Sequence, residues 1–465
     1  MKKQLLYFLC VLLPVLGISQ TDVTNNIVSP TVWTKSASPY IIKNNIDVIS
    51  DLTIEGGVEI KVDGWYKIAV LSNGKIITLG TETDSITFKS NLIPSSNKDW
   101  QSLSFENTTS PTELKYCAIQ NIGVGIRLNN ATLTLKSCSV TDNDLGMYLQ
   151  TSNNTLIIDS SLFDNNKEGI MCATNQTPNF FNTITISNSS FKHSTSGHGV
   201  FTNYSNTNID HCFFIDFAEG VRYDNGTGSV TNSELDSCSY GIVSDNSTIT
   251  IEGNVIKNGA LGIQLRGKPA LAKIHCNSIF NHSGYSLHTF ASGTENLGEI
   301  DAVNNYLGAS NLTGVKKTVF DNTVDASINA WFKIEPFLYS VNGVTFVNQS
   351  ADTIVALGNI VKLFVTVSES NLTYEWRKDG IKVIASSNVS GVSTDTLVIK
   401  SMDNSLYGMY TCHITSGCVS GVSSTQINVL KQACQATEKS DTAVYFVGSD
   451  GFKAMGSKVY AEDTL

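Results

Sequence analysis

A chain of 465 residues is long enough for two or three domain-sized units and a large core. Only 15% of its residues are charged, against about a quarter in an average soluble protein, and the formal net charge is -10. Phosphate and uronate surfaces are held by concentrated Lys and Arg, so this balance excludes nucleic acid as the expected partner and weighs against polyuronates.

In chain order, Lys2 and Lys3 precede the apolar run Leu5 to Leu16 and then Gly17-Ile18-Ser19, the pattern of an export signal over residues 1–19. The run is short for a bilayer, and no later segment approaches the roughly 18 apolar residues of a spanning helix. The expected location is therefore secreted or cell-surface. Of ten cysteines, Cys10 goes with the signal, and the remaining nine are an odd number, so at least one thiol is expected to stay free.

Residues 20–45 read as a lead-in. From residue 114 an apolar residue is followed three positions later by a small or polar one and two after that by a large apolar one. The units are Leu114/Cys117/Ile119, Leu135/Cys138/Val140, Ile158/Ser161/Phe163, Ile186/Ser189/Phe191, Ile209/Cys212/Phe214, Val230/Ser233/Leu235, Ile251/Asn254/Ile256 and Ile274/Asn277/Ile279. The middle position advances by 21, 23, 28, 23, 21, 21 and 23 residues, the long step being assigned to a loop around Asn175 to Asn182. Short alternating strands at such a period predict an all-β solenoid, one coil per unit, over residues 46–340. Without hexapeptides, and with parallel crossovers overwhelmingly right-handed, a right-handed parallel β-helix is expected.

Four residues after the small position comes a polar column, Asn121, Asp142, Asn165, His193, Asp216, Ser237, Asn258 and Asn281. It predicts a structural ladder whose amides bond along the axis and satisfy turn carbonyls. Gly125, Gly146, Gly169, Gly220, Gly241 and Gly262 recur near the unit ends and are expected at corners with unusual dihedrals.

With Leu52–Phe88 as first coils and Asn304-Asn305-Tyr306-Leu307-Gly308 to Glu335-Pro336-Phe337-Leu338 as closing segment, the region resembles the pectin-lyase-like β-helix superfamily of exported bacterial proteins. Leu307 stands where that family usually has Trp. The resemblance implies fold strongly and activity hardly at all.

Residues 341–430 carry Val361-Lys362-Leu363-Phe364-Val365, Trp376, and Tyr407-Gly408-Met409-Tyr410-Thr411-Cys412. A core Trp, with Tyr two residues before a later Cys, is the tyrosine-corner pattern, and the segment resembles bacterial immunoglobulin-like domains with Trp376 and Tyr410 in the core. Val365 replaces the usual first cysteine, so the inter-sheet disulfide is absent, and Cys412 and Cys418 are expected to bridge adjacent strands instead. Residues 431–465, with Cys434, are unassigned and read as the start of a further region.

Ser196-Gly197-His198-Gly199 is similar to the Gly-His-Gly motif of polygalacturonases, but no Asn-Thr-Asp, Asp-Asp or Arg-Ile-Lys accompanies it. It is read as a coil corner. A calcium-dependent lyase needs clustered carboxylates, yet Asp142 and Asp216 are three coils apart, roughly 14 Å at strand spacing. Asp210 and Glu252 share a column two coils apart. Cys117 and Cys138 occupy consecutive coils and are read as reduced core thiols, the states of Cys172, Cys212, Cys238 and Cys276 being open. No metal, cofactor or catalytic residue is assigned.

Ten positions past the small column lie Arg127, Tyr148, Met171, Arg222 and Gln264, expected on a final strand facing out. Aromatic and Arg side chains on a flat sheet suit glycan or protein binding, with Arg127, Tyr148 and Arg222 as candidates; a merely solvated face is the bland alternative. The sequence thus favours a non-catalytic surface scaffold or adhesion protein binding a glycan or another surface protein. A polysaccharide lyase or glycoside hydrolase, and a purely structural stalk, are the alternatives.

Overall fold

The structure, a computed structural model, describes residues 20–151, 153–173, 182–268, 271–290, 298–341, 346–368, 372–415, 418, 422–432, 444–448 and 451–455. The export signal with Cys10, residues 174–181 of the expected loop, and Cys434 lie outside them. The chain divides into two compact units, one ending at Leu338 and one beginning at Tyr339.

The first unit is a right-handed parallel β-helix in which each coil contributes one strand to each of three faces. One coil runs from Thr132–Lys136 on the third face, through Ser139–Thr141 on the first, to Leu145–Leu149 on the second. The third face is a 13-stranded parallel sheet, while the first and second merge into a 22-stranded sheet. They merge because Ser190–Asn203 and Phe213–Asp224 run unbroken around their shared corner. The ladders begin earlier than the repeat suggests: Thr21–Val23 already pairs with Tyr40–Ile42, and Thr31–Trp33 with Leu52 to Ile54, so residues 20–45 are coil, not lead-in. Their strands are too short and irregular for the sequence period to register.

Register carries the core. Leu114, Leu135, Ile158, Ile186, Ile209, Val230, Ile251 and Ile274 stack in one inward column of the third face, all fully buried. On the first face Phe163, Phe191 and Phe214 stack with ring centroids 4.8 Å apart, the coil spacing itself. Such columns exclude water continuously along the axis and supply the main driving force for folding.

The corners need residues that accept left-handed backbone, and the predicted polar column does this: Asn121, Asp142, Asn165, His193, Asp216, Ser237, Asn258 and Asn281 all have φ between 53° and 66°. Asn and Asp tolerate that region better than other non-glycine residues. Two axial bonds occur in this column, Asn165 Nδ2 to Asp142 Oδ1 at 2.7 Å and Asn281 Nδ2 to Asn258 Oδ1 at 3.4 Å.

The interior ladders that satisfy buried backbone groups sit elsewhere. At the small position, the Ser233 amide donates to Asn254 Oδ1 (2.9 Å), that of Asn254 to Asn277 Oδ1 (3.0 Å) and that of Asn277 to Asn305 Oδ1 (2.9 Å). Their Nδ2 groups return bonds to carbonyls of Val230, Ile251 and Ile274. Asn143 and Asn166 do the same at the next corner, one residue after the left-handed position. Buried polar groups are tolerated here because each is bonded.

Of the column glycines only Gly125 has a left-handed φ, 77°. The others are glycine for lack of room: a Cβ on Gly146 would lie 2.5 Å from the Gly169 carbonyl oxygen, and one on Gly241 2.6 Å from that of Gly262. Gly199 belongs to the same column, its Cβ falling 2.5 Å from the Gly220 oxygen.

The second unit is a β-sandwich. One sheet holds Phe346–Gln349, Val361–Val367, Thr396–Ile399 and Val389–Ser390; the other holds Thr353–Val355, Ile427–Lys431, Gly408–Thr415, Thr373–Lys378 and Ile381–Lys382. Trp376 and Tyr410 are buried in its core, where Trp376 Nε1 donates to Thr394 O at 2.9 Å and the Tyr410 hydroxyl to Leu406 O at 2.6 Å.

The expected Cys412–Cys418 bridge is not formed. Cys412 is a free, fully buried thiol, while Cys418 is disulfide-bonded elsewhere. The reason is strand alternation: Tyr410, Cys412 and Ile414 all point into the sandwich, where Cys412 sits opposite Trp376.

Gly241→Ala is expected to lower stability by roughly 1–3 kcal/mol through overpacking, rather than raise it through chain entropy. An unchanged or higher thermal midpoint would contradict the close-approach account.

Candidate functional site

Along the second face the in-register pairing builds one outward column: Ser104, Arg127, Tyr148, Met171, Phe201, Arg222, Val243, Gln264, His288 and Phe320. Arg127, Tyr148 and Arg222 therefore share one face, with Met171 and Gln264 beside them. Two further outward columns flank it. On one side run Leu145, Glu168, then His198, Glu219, Tyr240 and Leu261; on the other Asn203, Asp224, Asp245 and Arg266.

Where the columns cross the middle coils they form a half-buried charge network. His198 Nδ1 lies 2.9 Å from Glu168 Oε2 and its Nε2 lies 3.3 Å from Glu219 Oε2. Arg222 reaches Glu219 Oε2 at 3.3 Å and Asp224 through Nε to Oδ1 at 3.0 Å and Nη2 to Oδ2 at 3.2 Å. Burial opposes the charge on His198, but its bonds to Glu168 and Glu219 and their negative charge outweigh it and push the imidazole up to about 9. At neutral pH His198 is thus a cation and a donor, not a general base.

Burial also raises Glu219, yet the His198 bond and the Arg222 charge prevail and hold it below the usual range. Asp245 goes the other way. Burial lifts it, the neighbouring Asp224 carboxylate adds to the lift, and Arg222 and Arg266 only partly offset it.

Toward the C-terminal end the face turns aromatic. Arg266 lies over the Phe290 ring, 5.5 Å from its centroid, as Arg222 does over Phe201 at 5.6 Å. His288 stacks on Phe320 at 4.9 Å and meets Phe290 edge-on at 5.3 Å. Near the other end Trp65, 54% exposed, lies against Gly123, where any Cβ would strike its ring.

Sequence reading missed Phe201, Glu219, Asp224, Asp245, Arg266 and Phe290, and dismissed His198. The coil of His198 shifts register between Ser194 and His198, so ten positions past Ser189 falls Gly199 rather than Phe201. In regular coils the flanking columns stand seven and twelve positions past the small residue, a signal present in Glu168, Glu219, Asp224, Asp245 and Arg266. The Gly-His-Gly motif is also accounted for. Gly199 is a column glycine and Gly197 packs on the Lys167 carbonyl, leaving His198 between two acids.

Asp210 and Glu252 occur two coils apart in one column, joined through Thr231. Among the described residues no group of three or more His, Cys, Asp or Glu is arranged to hold a metal, and no helix is long and apolar enough to cross a membrane. Cys117, Cys138, Cys172, Cys212 and Cys238 are free and buried, and burial pushes Cys212 up to about 11 and Cys238 to about 12. The raised thiols of Cys212 and Cys238 are weak nucleophiles. Cys276 is disulfide-bonded.

A family model described as the right handed beta helix region matches residues 179–307. No curated protein is similar to the chain at a significant level. Among solved structures, the tandem Ig repeats of Dlar are 15% identical, covering 22% of this chain and 55% of that one, with a TM-score of 0.19. Extracellular domains 3–5 of Drosophila OTK are 14% identical, covering 22% and 37%, with a TM-score of 0.17. The D1 domain of Duf (Kirre) is 17% identical, covering 20% of this chain and all of that one, at 0.18. The chain thus spans about half or less of the first two.

Stability contributed by His198 is fully present below its unfolded pKa near 6.5 and is lost as pH rises through about 9. A proton NMR titration of the His198 ring should show a midpoint well above those of exposed histidines; an ordinary midpoint would remove the two-acid clamp.

Proposed function

We propose that this chain is an exported bacterial protein of the pectin-lyase-like superfamily, secreted or held at the cell surface, that binds a neutral glycan lengthwise along the second face without cleaving it. The C-terminal sandwich is an immunoglobulin-like spacer or second adhesive unit. The observation that carries the reading is the unbroken outward column from Arg127 through Tyr148, Phe201 and Arg222 to His288 and Phe320. Coils advance by about 4.8 Å, close to the advance of one sugar, so a polysaccharide laid along the axis meets an equivalent station at each residue. Aromatic rings offer faces to the apolar sides of sugars, and Arg offers donors to their hydroxyls.

Charge supports a neutral ligand. The three acids Glu168, Glu219 and Asp224 outnumber their two cationic partners His198 and Arg222, which leaves no positive field for an acidic polymer.

One observation favours a second reading, that of a glycoside hydrolase. Asp245 is raised while Glu219 is lowered on the same face, and paired carboxyls pushed apart are the pattern of an acid and a base. Against it, Glu219 is engaged by both His198 and Arg222.

In affinity gels containing soluble β-glucan, mannan, xylan or starch, the intact chain should be retarded by at least one, and Tyr148→Ala or Arg127→Ala should each lose several-fold in affinity. Retardation unaffected by both substitutions would place binding elsewhere. Release of reducing ends from the bound polymer would replace binding by hydrolysis.

A further inference from the structure

Asp245 and Arg266 are opposite charges in register on adjacent strands of the second face, at a spacing of about 4.8 Å, the arrangement in which cross-strand ion pairs form. No ion pair forms between them. Arg266 turns instead to Gln264, its Nε donating to Oε1 at 2.8 Å, and lies over Phe290. Asp245 accepts from Asn246 Nδ2 at 2.9 Å. The other acids of the network behave differently, since Glu168, Glu219 and Asp224 each have a cation within 3.3 Å. The unclosed pair therefore presents a carboxylate acceptor and a guanidinium donor side by side, with nothing described between them.

Around it the surroundings are preset. Val243, although it points outward, is fully buried, so neighbouring side chains close over it and the column offers no water-filled gap at that station. Gln264 is fixed from both sides, by Arg266 and by His288 Nδ1 at 3.3 Å. Burial and the Arg266 charge lower His288, which keeps its imidazole neutral beside the guanidinium. Phe290, held by Arg266 over its ring and His288 at its edge, still leaves 43% of its surface to solvent.

An open acceptor–donor pair beside a fixed, partly exposed ring is the recognition pattern of a pyranose, whose vicinal hydroxyls bridge donor and acceptor while its C–H face lies on the ring. We propose that the face has a dominant subsite at its C-terminal end, where one neutral pyranose residue stacks on Phe290 and bridges Asp245 and Arg266 through adjacent hydroxyls. This rests on the glycan-face reading and adds to it where affinity is concentrated and which sugar chemistry is selected. Binding energy is concentrated here because an aromatic anchor stands beside a carboxylate and a guanidinium that are not closed on each other. The selected feature is an intact vicinal diol, and uronic acids are disfavoured by the Asp224 and Asp245 carboxylates.

Short and long ligands separate the two claims. Tyr148 stands six coils from the His288 station, roughly 29 Å, beyond the reach of a trisaccharide. Calorimetric titration of the full chain with cellotriose, laminaritriose, maltotriose and mannotriose should show one or more binding. Phe290→Ala and the near-isosteric Asp245→Asn should each weaken that binding about tenfold or more, with thermal midpoints close to the parent, whereas Lys136→Ala on the third face leaves it unchanged.

Binding of polysaccharide without binding of any trisaccharide, or trisaccharide binding indifferent to Phe290→Ala and Asp245→Asn, would overturn the subsite and leave the face reading standing. Failure of every polysaccharide and trisaccharide alike would bring down the face reading and the subsite with it.

Discussion

Every feature of the first unit depends on successive coils stacking residue over residue. A side chain in a strand has period two, so a slip of one position would turn the Leu114–Ile274 column to solvent and the Arg127–Phe320 column into the core. Several devices hold the register. Left-handed Asn, Asp and Ser residues turn each corner at a fixed place, glycines let neighbouring backbones touch at another, and bonded Asn and Ser ladders penalise any shift that strands a buried amide. Aliphatic burial provides most of the stability, and the polar ladders provide the specificity of alignment.

The outward face proposed to bind glycan is a by-product of that constraint. Once the inner columns are aligned, the outer ones are too, and side chains separated by more than twenty residues in sequence become neighbours at strand spacing. His198 meets Glu168 and Glu219 in this way, thirty residues before it and twenty-one after it in the chain. The charges so gathered mostly neutralise one another, which leaves a surface of rings and directed hydrogen-bonding groups rather than a strong field. Asp245 and Arg266 depart from this pattern, and they stand where the face becomes most aromatic.

Much of the solenoid was legible because its inward columns have a fixed sequence offset from a small residue. The outward face was legible in Arg127, Tyr148, Met171, Arg222 and Gln264 for the same reason, and illegible at Phe201 because one coil shifts its register before His198. The charge network escaped notice because its members lie in three different coils, and carboxylates tens of residues apart look isolated in one dimension. The glycine column was visible, but its cause was not: dihedral freedom is demanded at Gly125, while Gly146 and Gly241 are set by the next coil's carbonyl. The Cys412–Cys418 expectation relied on sequence proximity and ignored alternation, which turns Cys412 into the sandwich core.

Residue-over-residue stacking can be measured directly by attaching nitroxide spin labels to pairs of engineered cysteines on the second face. Labels at 148 and 171, and at 201 and 222, should show strong short-range dipolar broadening, because those positions are neighbours in register. Labels at 127 and 264 should not, since those positions stand six coils apart in the same column, roughly 29 Å at strand spacing. Weak coupling in the first two pairs, or equal coupling in all three, would mean that the coils are not aligned as described and that no continuous outward column exists.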